Sequence, residues 1–200
     1  MTPFLTLLAA YLIGGIPFGY LLVRMKTGQD VRALGSGNIG ATNVLRTTGR
    51  GIGVLTLILD IAKGWFAVWL AARLTHDSQE WMAAAGVAVV LGHAYPVFLK
   101  FQGGKAVASF VGVALALAPA ALLGVVILFV LVVAATRYIS LGSILGAGLF
   151  PFGVWLIYHP AWPVMAACLF CAAFIIWRHK SNLERLRAGT ENKFSAGGKK

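Results

Sequence analysis

Long apolar stretches alternate with short polar ones along this chain, and most of the apolar stretches are near the length of a bilayer crossing. A helix rising about 1.5 Å per residue needs about 20 residues to traverse roughly 30 Å of hydrocarbon. Residues 4–23, 52–72, 81–99, 139–158 and 161–177 come close to that length and predict five spans. The run 106–135 is too long for one simple crossing. Pro119 in its middle lacks the N–H that a helix interior needs, so a break is expected there, with a short fourth segment before it. The pattern predicts an all-α integral membrane protein of seven membrane segments. It reads as one domain, residues 1–200, with a flexible end from about residue 195 and no internal repeat.

Composition agrees with this reading, since 59% of residues are hydrophobic and only 12% charged, which excludes an ordinary soluble domain. Charge then orients the chain, because cytoplasmic loops collect Lys and Arg. The first loop carries Arg24, Lys26, Arg32, Arg46 and Arg50, the second only Arg73 beside Asp77 and Glu80, and the tail Arg178, Lys180, Arg185, Arg187 and Lys193. The N-terminus is therefore expected outside, and the first loop and C-terminus in the cytoplasm. The run 106–135 must then go in and return, as two crossings or as a re-entrant pair. The chain's net charge of +11 falls almost wholly on the expected cytoplasmic face, which suits anionic lipid headgroups and phosphorylated substrates, and nucleic acid is not an expected partner. Residues 1–23 have no basic leader and read as a retained span. Cys168 and Cys171 lie within an apolar helix, where packing is the expected role. No disulfide is inferred, and no residue cluster has metal-ligand spacing.

Three polar features fall on the predicted cytoplasmic side. The first is Gly35-Ser36-Gly37-Asn38-Ile39-Gly40-Ala41-Thr42-Asn43, followed by Arg46. Its glycines could bring N–H groups to an anion, Ser36, Asn38, Thr42 and Asn43 add side-chain donors, and the Arg46 fork suits phosphate. A plain surface turn uses the same residue types. The second is Gly103-Gly104-Lys105, before an apolar helical run, where a helix N-terminus and a lysine could meet a second phosphate. It lacks P-loop spacing, so no nucleotide is inferred. The third is the tail: His179, flanked by Arg178, Lys180, Asn182 and Arg185, could serve as general base or oxyanion partner. His93, about two turns inside its span, reads as a neutral, hydrogen-bonded packing histidine. Asp60 and Lys63, three apart on one face, read as a structural pair, and Glu191 as a partner for tail cations.

Taken together, these motifs resemble the bacterial acyl-phosphate:glycerol-3-phosphate acyltransferases. The likeness runs from Ile16-Pro17-Phe18-Gly19-Tyr20 through Gly35 to Arg46, Gly92-His93 to Phe98, Gly103-Gly104-Lys105 and Arg178 to Lys193. It departs at Gly15, where a serine is expected, and at Ala106, where a glycine often follows the lysine. The resemblance implies transfer of a fatty acyl group from acyl phosphate to the 1-hydroxyl of glycerol 3-phosphate, giving lysophosphatidic acid and phosphate without a cofactor. By that likeness Ser36, Lys105 and His179 are catalytic. Asn38, Thr42, Asn43, Arg46, Gly103, Gly104, Asn182, Arg185 and Lys193 bind substrate, while His93 and Glu191 are structural. It also implies residence in the bacterial inner membrane, an active site towards the cytoplasm, and a partner enzyme that supplies acyl phosphate. The competing class is a transporter or flippase for an anionic phosphorylated solute. It fits less well, because transport sites tend to lie near the midplane and use inverted repeats.

Overall fold

The computed structural model of the chain describes residues 2–194, so the end from residue 195 lies outside the described residues. Among the described residues there are ten α-helices, two 3-10 turns and no strand. The chain divides into two compact units, Met1–Leu117 and the part beginning at Ala118.

In the first unit, α1 (Thr2–Gly15) and α2 (Phe18–Thr27) form one apolar stretch, Pro3–Thr27, long enough to cross a bilayer. The sequence gives it as a single span, yet it breaks at Ile16-Pro17, because Pro17 has no N–H to continue the ladder. The 3-10 turn Val31–Ala33 and α3 (Ala41–Thr48) follow, then α4 (Arg50–Leu74) and α5 (Gln79–Ala94). A second 3-10 turn, Val97–Leu99, extends the α5 stretch to Leu99. The last helix of the unit, α6 (Val107–Leu117), has 11 residues and rises only about 16 Å, about half the hydrocarbon thickness.

Helix α4 packs along α6, and α1 along α5. Within a bilayer apolar burial offers little drive, since lipid tails are as apolar as leucine, so close backbone approach through small residues matters more. Gly64 of α4 and Gly112 of α6 are the contact points. A Cβ on Gly64 would overlap the Ser109 carbonyl, and one on Gly112 would overlap the Ile61 carbonyl. The methyl-sized core of this layer comprises Ala10, Ala67, Val68, Ala71, Ala85, Val89 and Val113.

The second unit opens with α7 (Pro119–Thr136), whose first residue is the proline expected to break the run 106–135. There the missing N–H is harmless. Helix α8 (Ile139–Tyr158) packs on α7 and α9 (Trp162–Arg178) packs on α8, while α10 (Lys180–Arg187) bends away from α9 by 54°. On α7, Leu123, Ile127, Val130 and Leu131 stand exposed, which is the face a helix presents to lipid. Among the described residues five stretches are long and apolar enough to cross a membrane, and a sixth if α9 and α10 count as one bent span. Cys168 and Cys171 are free, buried thiols of α9.

Candidate active site

In the first unit the polar loop is a folded object rather than an open turn. Residues read from sequence as loop include α3, and Thr42, Asn43 and Arg46 sit on it. Asn43 is 3% exposed and builds the loop from inside. Its Oδ1 accepts the Ser36 N–H at 2.9 Å, while its Nδ2 donates to Leu34 O at 3.0 Å and Asn38 O at 2.8 Å. Asn38 Oδ1 accepts the Gly40 N–H at 2.7 Å, and the Gly37 N–H donates to Leu34 O at 3.0 Å. The glycine-rich segment thus spends the N–H groups of Ser36, Gly37 and Gly40 on itself. Those N–H groups are turned to the loop's own acceptors, and Asn43 is the brace that joins them. Of the motif's polar side chains, Ser36 and Arg46 are exposed and Asn38 and Thr42 half-buried. Arg32 is held elsewhere, its Nη2 2.6 Å from Asp30 Oδ2 and its guanidinium over the Tyr20 ring. The hydrogen bonds from the Arg32 side chain keep the Asp30 carboxyl below its ordinary value.

An apolar cluster ties this loop to the second motif. Leu99, from the turn that leads to Gly103, packs with Val23, Val31, Ile39 and Val44 beneath the loop. Gly103 and Gly104 are not at a helix start, because α6 begins only at Val107. Their N–H groups donate to Ala94 O and His93 O at 3.2 Å each, so what these glycines supply is close seating against the end of α5. A Cβ on Gly104 would overlap His93 Nε2. Lys105 follows, half-buried, and Ala106 caps α6 with φ of 62°, the left-handed region in which the glycine expected there is at ease. At the other departure, a Cβ on Gly15 meets the Phe98 ring at 3.5 Å and Pro96 Cα at 3.8 Å, both ordinary contacts, so a β-carbon fits there.

His93 is buried, with Nδ1 3.2 Å from Ser109 Oγ in a hydrogen bond. Asp60 and Lys63 form the expected pair at 2.7 Å, and Lys63 Nζ also donates to the Ile16 carbonyl at the first-span break, 2.8 Å away.

In the second unit His179 stands at the joint between α9 and α10. It is 3% exposed, so it is not the solvated flank of a stop-transfer signal. Its Nδ1 donates to Ile175 O at 2.8 Å, which leaves the lone pair of the neutral ring on Nε2. Its carbonyl accepts the N–H groups of Asn182 and Leu183, starting α10. Glu191 gathers the neighbours. Its Oε1 accepts from Ser140 Oγ at 3.0 Å and Asn182 Nδ2 at 2.8 Å, and its Oε2 from Arg185 Nε at 2.7 Å. Burial pushes this carboxyl up, but the hydrogen bonds from Asn182, Arg185 and Ser140 outweigh burial and hold it below the ordinary glutamate value. Ser140 was not singled out from the sequence; a serine at the mouth of an otherwise apolar span was the available signal. Lys193 is exposed, its Nζ 6.0 Å from the Tyr138 ring centre. Among the described residues no three His, Cys, Asp or Glu side chains form a metal-holding group.

The apolar helices, with braced polar segments at their ends, define a multi-pass membrane protein that is helical throughout its folded elements among the described residues. A family model described as glycerol-3-phosphate acyltransferase matches residues 4–189, and the chain belongs to that family. It is 48% identical to the glycerol-3-phosphate acyltransferase of Geobacter sulfurreducens, covering 94% of this chain and 95% of that one. It is 50% identical to the enzyme of the same name from Trichlorobacter lovleyi, again over 94% and 95%. Among solved structures it is similar to PlsY (YgiH), an integral membrane glycerol 3-phosphate acyltransferase, in its glycerol 3-phosphate form. That match has a TM-score of 0.91 and 37% identity, and covers 98% of this chain and 96% of that one. Membership makes the chain an acyltransferase and sets the transport reading aside.

Proposed function

We propose that this protein transfers a fatty acyl group from an acyl phosphate to the 1-hydroxyl of glycerol 3-phosphate, the first acylation of phospholipid synthesis. One observation carries the reading: 98% of the chain aligns with PlsY structures holding, by their descriptions, glycerol 3-phosphate in one case and lysophosphatidic acid in the other. Those are an acceptor and a product of this reaction. The hydroxyl oxygen attacks the acyl carbonyl carbon, the bond from that carbon to the phosphate oxygen breaks, and inorganic phosphate leaves carrying the hydroxyl proton. Because acyl phosphate is already activated, the protein's part is to orient the hydroxyl and neutralise the oxyanion, with no cofactor.

In this scheme Lys105 and Arg46 meet phosphate charge, Ser36 and His179 orient the reacting groups, and Asn38 and Thr42 add polar contacts. Asn182, Arg185 and Lys193 contribute from the tail, with Asn182 and Arg185 set in place by Glu191. The Nδ1 bond of His179 to Ile175 O favours a second reading, in which Nε2 takes the hydroxyl proton as general base. Gly103 and Gly104 serve binding by carrying Lys105.

The match over residues 4–189 takes in both units and supports reading the chain as a single membrane acyltransferase domain. The charge pattern supports seven segments, an outer N-terminus, a cytoplasmic C-terminus and a cytoplasmic active site in a bacterial inner membrane. An enzyme that makes acyl phosphate would be the natural partner.

The test is phosphate release by purified protein in detergent, given palmitoyl phosphate with and without glycerol 3-phosphate, and palmitoyl-CoA as control donor. Release that requires glycerol 3-phosphate, with lysophosphatidic acid formed and nothing from the thioester, is expected. Product from the thioester and none from the acyl phosphate would refute the donor assignment.

A further inference from the structure

Beneath the Gly103–Lys105 segment lies a buried polar cluster drawn from α4, α5 and α6. Asp60 and Lys63 are paired at 2.7 Å, Asp60 Oδ1 lies 3.7 Å from His93 Nδ1, and Ser109 Oγ is hydrogen-bonded to the same nitrogen. All four side chains are almost wholly buried. Charges and imidazoles inside a span are costly, and such a cluster persists where something depends on it. What leans on this one is the second motif. The Nδ1 edge of His93 is hydrogen-bonded to Ser109 with the Asp60 carboxylate nearby, and the opposite edge faces Gly104, where Nε2, Cδ2 and Cε1 are the three atoms an added Cβ would meet first. The His93 carbonyl also accepts the Gly104 N–H. Both the ring and the main chain of one residue therefore hold the backbone immediately before Lys105.

We infer that His93 is a positioning residue: its imidazole, locked by Ser109 and the Asp60–Lys63 pair, is the seat of the Gly104 backbone and so sets where the Lys105 ammonium stands. The inference depends on the role given to Lys105 above. His93 touches no substrate in this scheme and acts through Lys105. Misplacement of about 1 Å is enough to cost about a hundredfold in rate, which sets the size of effect to look for.

The experiment is a pair of double-mutant cycles on the full chain in detergent, with kcat and KM measured for both substrates and the thermal midpoint of each variant recorded. Gly104→Ala alone should lose about a hundredfold in kcat/KM and His93→Ala about tenfold. The double variant should lose no more than His93→Ala alone, because removing the ring makes room for the new methyl. A double variant down by the product of the two, about a thousandfold, would overturn the inference. In a Lys105→Gln background, His93→Ala should change the residual turnover by less than about twofold, whereas a further tenfold loss would show that His93 acts elsewhere. Wild-type turnover in Lys105→Gln would overturn the premise about Lys105, an outcome separate from a failure of the first cycle. His93→Asn keeps a polar atom for Ser109 while deleting the edge that faces Gly104, and provides the same comparison if the alanine variant does not fold.

Discussion

Replacing Glu191 by alanine strands two buried donors at once. Asn182 and Ser140 are 5% and 6% exposed, and both give their side-chain hydrogen bonds to Glu191 Oε1. Leaving a buried donor unsatisfied costs about 1–3 kcal/mol. Arg185 is 36% exposed and can turn to water, so its share is at most about 1 kcal/mol. The alanine variant should therefore lose roughly 2–7 kcal/mol of stability in the second unit. Glutamine is milder: its carbonyl can take the place of Oε1 and keep both buried donors satisfied, while its amide faces the part-exposed Arg185. A loss of roughly 1–2 kcal/mol is expected there. The assay is denaturant unfolding of purified protein in detergent, read alongside turnover, which should fall at least tenfold in the alanine variant as Asn182 and Arg185 lose their anchor. The pH dependence has a definite sign. The folded-state pKa of Glu191 is lowered, so the unfolded chain binds the proton first as pH falls. Its stabilisation is whole above the ordinary glutamate value of about 4.3 and is lost as pH falls through the lowered folded value. In Glu191→Gln that part of the acid sensitivity should vanish. An order of losses in which glutamine is worse than alanine would refute the reasoning, since it would mean that the charge on Arg185, and not the two bonds to Oε1, is what the carboxylate sustains.

Arg46→Ala, Lys105→Ala and His179→Ala should each reduce glycerol 3-phosphate-dependent phosphate release by about a hundredfold or more with the protein still inserted and folded; full activity in any two would remove the proposed site. A cysteine placed at Ser181 should react with a membrane-impermeant reagent only from the cytoplasmic side, and labelling from outside would reverse the proposed orientation. Lys63→Met should destabilise by about 3–5 kcal/mol by leaving Asp60 uncompensated, whereas Asp60→Leu with Lys63→Met should recover most of that loss in the same unfolding assay.

Much of the helical layout was legible because apolar length is a strong signal and Pro119 marks its break without ambiguity. Pro17 carries the same chemistry but was passed over, since the apolar run continues on both sides and length alone reads 4–23 as unbroken. Helix α3 was hidden by the glycines before it, which suggest loop even though Ala41 to Thr48 can be helical once Asn43 is buried. The motif residues could be found from type and spacing, but their division of labour could not. Whether an amide N–H of Ser36, Gly103 or Gly104 faces a ligand or its own chain depends on tertiary partners such as Asn43 Oδ1 and the His93 carbonyl. For the same reason Ser140 went unnoticed, since its partner Glu191 is 51 residues away.

The spacing of Asp60 and Lys63 also has a consequence for how the protein is made. The two charges are on one helix, three residues apart and 2.7 Å from each other. The two charges in the middle of α4 can therefore compensate each other within that one helix, before α5 has emerged to bring His93 alongside. Had the partners been on separate helices, each would have crossed as a lone ion and waited in lipid for the other. As built, the pairing of these two charges does not wait on a neighbouring helix, and the later helices join a segment whose mid-membrane charges already have each other.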